Sequence, residues 1–127
     1  MNKTLSDRIE RRAESLLKQH GEFRVPVDVY GIAKKMNINV QIRPELDDDL
    51  SGALVIENGK GVIGVNEKDG HLRRRFTIGH ELAHYVLHYK SSSTFLDEKI
   101  YIYNRNFESN IEEIEANAFS ASLLMPG

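Results

Sequence analysis

The stretch Thr77-Ile78-Gly79-His80-Glu81-Leu82-Ala83-His84-Tyr85-Val86-Leu87-His88 constrains the fold of this chain more than any other. It places ionisable side chains at helical spacing inside a largely apolar run. Residues i and i+4 share one helix face and lie about 6 Å apart along the axis. His80 and His84 can therefore converge on one ion, while Glu81 sits beside that ion and can take a proton from a water bound to it. Such a stretch works only as a helix. On a 100° wheel Leu72, Phe76, Ala83, Val86 and Leu87 gather on one side, and Arg73, Thr77, His80 and His84 form a neighbouring stripe. The pattern predicts a helix over 70–89 with an apolar face in the core and a polar edge on a cleft. Asp69 or Asn66 is placed to cap its start.

The rest of the chain supplies a scaffold. The spacing of Leu5, Ile9, Leu16 and Leu17 predicts a helix over 4–20, stopped by Gly21, with its arginines on a solvated face. Pro26 opens a second helix over about 26–36. The alternation Ile38, Val40, Ile42 reads as a strand ended by Pro44, and Glu45–Asp49 reads as a solvated turn. Ser51–Ile56 and Gly61–Asn66 are strands joined through Asn58-Gly59, a hairpin signal. One of these two strands is expected to lie along the cleft and pair with an extended peptide. Ile100–Tyr103 is a short strand whose Tyr101 and Tyr103 either pack in the ordinary way or reach the cleft as oxyanion donors. Asn110–Met125 is a last helix, apolar nearly all round in its second half and so buried.

Bulk properties exclude several functions. The net charge of −2 gives no basic field for nucleic acid. With no cysteine, disulfides are absent and a metal must be held by His, Glu or Asp. No apolar run approaches a membrane span, and the charged first dozen residues do not resemble a secretory signal, so a cytoplasmic protein is expected. The length suits one domain over 1–127, with no linker or internal repeat.

His80-Glu81-x-x-His84 is the pattern of zinc peptidases, and a catalytic zinc needs a third protein ligand. Four candidates compete: His88, Glu112, Glu113 and Glu115. On a straight helix His88 stands about 12 Å from His80, too far to share an ion, so it reads as a rim residue or a support for a ligand. The last helix is the better source, because a metal ion offsets the cost of burying a carboxylate there. Glu113 shares a face with Asn117, which is placed to steady a ligand histidine. Glu112 and Glu115 point away from that face and read as solvated or as helix-start caps.

Taken together the chain resembles the ImmA/IrrE family of metallo-endopeptidases. The resemblance rests on Leu50-Ser51-Gly52-Ala53, the hairpin end Ile63-Gly64-Val65-Asn66, Arg74 through His84 with Leu87-His88, and Glu113-x-x-Ala116-x-x-Phe119 leading to Leu123-Leu124-Met125-Pro126. Pro26-Val27 through Ile32-Ala33 fits the family's usual opening, so the match covers about residues 25–126. It implies an α+β, zincin-like single domain: a small antiparallel or mixed sheet, the His80–His84 helix and a buried C-terminal helix. It implies His80, His84 and Glu113 as metal ligands and Glu81 as general base. Zn²⁺ is the expected ion, and Mn²⁺ or Fe²⁺ suits the same ligands. The implied substrate is a helix-turn-helix repressor, with no direct nucleic-acid or membrane partner. The competing expectation is a metal-containing module that binds such a repressor without cutting it. An intact Glu81 argues for the enzyme.

Overall fold

The computed structural model describes residues 8–9, 11–13, 27–90, 98–104 and 110–124. The elements run α1 (Val29–Lys35), β1 (Ile38–Arg43), β2 (Leu50–Glu57), β3 (Lys60–Asn66), α2 (His71–Ala83), a π-helical continuation over His84–Tyr89, β4 (Glu98–Asn104) and α3 (Ile111–Leu124). Residues 8–9 and 11–13 are helical, and Ile9 and Ala13 are buried. The remainder of the helix expected over 4–20 lies outside the described residues. Arg12 is not simply solvated, since its Nη2 donates to the Val86 carbonyl at 3.0 Å.

The four strands form one mixed sheet in the order β1-β3-β2-β4. β1 runs parallel to β3, and β2 pairs antiparallel with both β3 and β4. The hairpin between β2 and β3 turns through Asn58 at φ 53° and Gly59 at φ 77°. A two-residue turn matching the strand twist needs that conformation, and Asn-Gly accepts it. This order corrects one expectation. Neither strand of the hairpin is an edge, so neither has a free row of backbone groups to offer a peptide. The edges are β1 and β4. Strand order depends on pairings distant in sequence, which local patterning does not report.

α2 lies between the sheet and α3, touching β2, β3 and β4 on one side and α3 on the other. Two glycines set these spacings. A Cβ on Gly52 would fall 2.6 Å from Thr77 Cγ2 and 2.5 Å from the Gly64 carbonyl oxygen, so a side chain there would push α2 off β2. On the opposite side a Cβ on Gly79 would collide with Ser120, whose hydroxyl donates to the Phe76 carbonyl at 2.8 Å. Enclosed from both sides, α2 is buried at every position from Thr77 to Ala83. It therefore lacks the single apolar face the wheel assigned, and Leu72, placed on that face, is 79% exposed.

Further boundaries shift for local reasons. α1 starts after Asp28, whose carboxylate accepts from the Gly31 N–H at 3.0 Å as an N-cap. The N-cap of α2 is Gly70, without a side-chain cap bond. Asn66 is committed elsewhere: its amide donates to the Asp47 and Leu50 carbonyls and accepts from the Lys68 N–H. It thus ties the acidic turn to the hairpin's exit. α3 is less enclosed than its composition suggests, with Ala116, Phe119, Ser120 and Leu123 buried but Ala121 exposed. Small alanines do not reveal which side of a helix is covered. Among the described residues no helix is long and apolar enough to cross a membrane.

Candidate metal centre

His80 and His84 leave α2 one turn apart and are fully buried. Their Nε2 atoms lie 3.2 Å from each other. Glu113 reaches in from the first turn of α3, where Asn110 accepts from its backbone N–H at 2.9 Å. Its Oε2 stands 3.0 Å from His80 Nε2 and its Oε1 3.0 Å from His84 Nε2. Three side chains from two helices thus aim four polar atoms at one point.

The outer nitrogens decide what the inner ones present. The Asn117 amide oxygen lies 2.8 Å from His80 Nδ1, so that nitrogen carries the proton and Nε2 offers a lone pair. His84 Nδ1 lies 2.9 Å from His88 Nδ1, and His88 Nε2 lies 3.1 Å from Glu115 Oε1. A carboxylate takes only an N–H, so the proton of a neutral His88 is on Nε2 and its bare Nδ1 accepts from His84 Nδ1. His84 then also turns a lone pair inward. Two lone pairs and a carboxylate within about 3 Å repel one another unless a cation stands among them.

Burial pushes His84 below its usual value of 6.5, toward the neutral form a metal ligand needs, although a hydrogen bond to Glu113 opposes this. Burial also opposes ionisation of Glu113, but where the inward nitrogens of His80 and His84 carry protons instead of lone pairs, their hydrogen bonds and charge outweigh it and bring its pKa to about 2. Those protons stand where a cation would, and metal binding would release them. Glu81 behaves differently. It is wholly buried, neither carboxylate oxygen has a hydrogen-bond partner among the described residues, and burial first, then the charge of Glu113, raises its pKa well above 4.5. His80, Glu81 and His84 bring ligand atoms within 4.8 Å of one another, a group able to hold a metal ion. Of the two carboxylates, Glu113 has oxygens 3.0 Å from both imidazole nitrogens, while Glu81 is the one grouped with the two histidines as a possible metal cluster.

β4 closes the site from the sheet side. The Tyr103 ring stacks on His80 with centroids 3.9 Å apart and planes 14° off parallel, and Tyr101 stacks on His84 at 4.6 Å and 15°. Alternate strand residues repeat about every 6.6 Å, close to the 6 Å between i and i+4 on a helix, so the two tyrosines match the two histidines. Arg73 donates to the Tyr103 hydroxyl at 3.2 Å, and the Lys99 ammonium lies 5.5 Å over the Tyr101 ring. Both tyrosines therefore pack and border the site.

Every residue expected at the centre is brought together there, with Asn117 on His80 and His88 supporting His84. Glu115 is the residue that sequence reasoning missed. Around α3 it is turned about 160° from Glu113, as expected, yet it is paired with His88 rather than solvated. Its signal was its setting, an acid between Ile114 and Ala116.

A mixed sheet with helices on one face and a buried His-Glu-His group on the central helix describe a small α+β domain with a metal-binding capacity. The chain matches the family model of the IrrE N-terminal-like domain, peptidase M78, over residues 33–127, and belongs to that family. No match to a curated protein is found.

Proposed function

We propose that this chain is a metal-dependent endopeptidase in which His80, His84 and Glu113 hold a divalent ion, Zn²⁺ foremost, and Glu81 is the general base. The observation that carries this reading is the convergence of two inward imidazole nitrogens and the Glu113 carboxylate beside a buried Glu81 that has no hydrogen-bond partner among the described residues. An ion held there supplies Lewis acidity, polarising a peptide carbonyl and acidifying a water. Glu81 accepts the proton of the attacking water and returns it to the leaving amine nitrogen.

β4 borders the site as an edge strand, and an extended peptide adding to it would pass above the imidazoles. The proposed substrate is a helix-turn-helix repressor in the cytoplasm, cut in a linker or a locally opened segment because folded domains rarely present an extended one. The family resemblance supports this substrate class. The test is incubation with a helix-turn-helix repressor encoded beside this protein. One or a few cuts are expected, abolished by a chelator and restored by Zn²⁺ or Mn²⁺. Cleavage that survives chelation refutes the metallopeptidase reading. Tight binding without cleavage under any metal replaces it with the binding module.

A further inference from the structure

The backbone of the central helix changes type at the second histidine. α2 is α-helical to Ala83, then the chain is π-helical from His84 to Tyr89, closed by the Lys90 N–H on the Tyr85 carbonyl at 2.9 Å. Turns bonded i to i+5 are uncommon and concentrate at functional sites. His84 and His88 both lie within this wider turn. Their ring centroids are 5.0 Å apart, and the two Nδ1 atoms meet at 2.9 Å.

His88 then spans two helices. Its other nitrogen reaches Glu115 on α3 at 3.1 Å, with the His88 side chain 6% and the Glu115 side chain 21% exposed. None of this is required to close the core, which apolar side chains would fill at lower desolvation cost. What the pair does require is a proton order. Glu115 fixes the proton on His88 Nε2, His88 fixes the proton on His84 Nδ1, and the Nε2 lone pair of His84 is thereby aimed at Glu113.

We infer that Glu115 and His88 are positioning residues for the metal centre, a carboxylate–imidazole pair that orients His84. The inference rests on the metal reading of His80, His84 and Glu113. It adds that ion affinity would depend on Glu115, a carboxylate joined to His84 through one intervening histidine. Outer partners of metal-bound histidines typically matter by about 10–100-fold in affinity.

The experiment titrates metal-free protein with Zn²⁺ against a chromophoric chelator, and with Co²⁺ by visible absorption. Glu115→Leu, which keeps bulk but accepts no hydrogen bond, should weaken Zn²⁺ binding toward 100-fold and change the Co²⁺ bands as His84 reorients. Glu115→Gln still accepts from His88 through its amide oxygen but lacks the charge, and should lose nearer 10-fold. Glu112→Leu, at an exposed neighbouring position, should change neither readout. A merely structural role would lower Tm in the Glu115 variants while leaving affinity and Co²⁺ spectrum as in the wild type, and that result overturns the inference. If Glu115→Leu does not fold, Glu115→Gln decides between the same two outcomes. A wild-type protein that takes up neither ion overturns the metal reading and this inference with it. Wild-type and variant proteins that bind alike overturn this inference alone.

Discussion

His80 and His84 stand one turn apart on the same helix and face the same carboxylate, yet they are held differently. A neutral amide, Asn117, receives the outer proton of His80. A histidine backed by a carboxylate receives that of His84. The tyrosine over His80 is held through its hydroxyl by Arg73, whereas the tyrosine over His84 has a lysine above its ring. The His80 half thus has a neutral amide on its outer nitrogen and an arginine-held phenol over its ring, and the His84 half has a carboxylate-backed relay on a non-standard turn. A site can therefore have matched ligands with unmatched supports, and the two halves should fail by different amounts.

Glu113 is common to both halves, so its loss should have the largest effect. Glu113→Ala is expected to abolish stoichiometric metal binding, whereas Glu112→Ala leaves it intact, as read by elemental analysis of folded protein. Metal retained in Glu113→Ala would mean that the halves do not meet at this carboxylate.

Glu81 belongs to neither half, and Glu81→Gln should separate binding from chemistry. Metal content is expected to stay near the wild-type value while the cleavage rate falls by at least ~10²-fold. The same variant makes a pH prediction for the metal-free protein. The folded-state pKa of Glu81 lies above its ordinary 4.5, so folded protein keeps a proton the unfolded chain has lost, and stability falls as pH rises beyond 4.5. His84 acts oppositely: its pKa lies below 6.5, so stability falls as pH drops through that value. Glu81→Gln removes only the first effect. It should raise Tm near pH 7 and hardly at all near pH 4. A Tm gain equal at both pH values would remove ionisation of Glu81 as its cause.

The amide on the His80 side should matter less. Asn117→Ala is expected to weaken Zn²⁺ binding by about 10-fold, the lower end for an outer partner, measured by chelator competition. A loss greater than that of Glu115→Leu would invert the proposed order of the halves. Smallest is Tyr103→Phe, which removes the acceptor for Arg73 while keeping the stacked ring. It should cost about 1 kcal/mol in denaturant unfolding and leave metal content unchanged.

What the sequence disclosed was local. The i, i+4 histidines, the Asn58-Gly59 turn and the shared face of Glu113 and Asn117 each depend on backbone periods that hold over a few residues. The readings that needed correction depended on distance or on a break in period. A wheel turned at 100° per residue keeps Val86 and Leu87 against the core, but it does not reveal the approach of His88 to Glu115 across two helices. Leu72 appeared apolar and inward, but it stands 79% exposed in the first turn of α2, whose buried residues begin at Thr77. The edges of the sheet were hidden because β4 completes it from the far side of α2 in sequence.

The alternation of β4 carries a consequence for how such a domain tolerates change. Tyr101 and Tyr103 face the imidazoles, while Ile100 and Ile102, 51% and 53% exposed, face away. Both sets are bulky and suited to strands, so hydrophobicity alone scarcely distinguishes the two ways round. Slipping the strand by one residue would exchange them, laying isoleucines on the histidines and turning the phenol rings outward. A slip of two would keep the faces but shift each tyrosine to the wrong histidine or past it. Insertions before Glu98 are therefore free in length only while the pairing Leu54↔Tyr101 is kept. The centre's integrity rests on parity, a property of counting along an edge strand that no single residue carries.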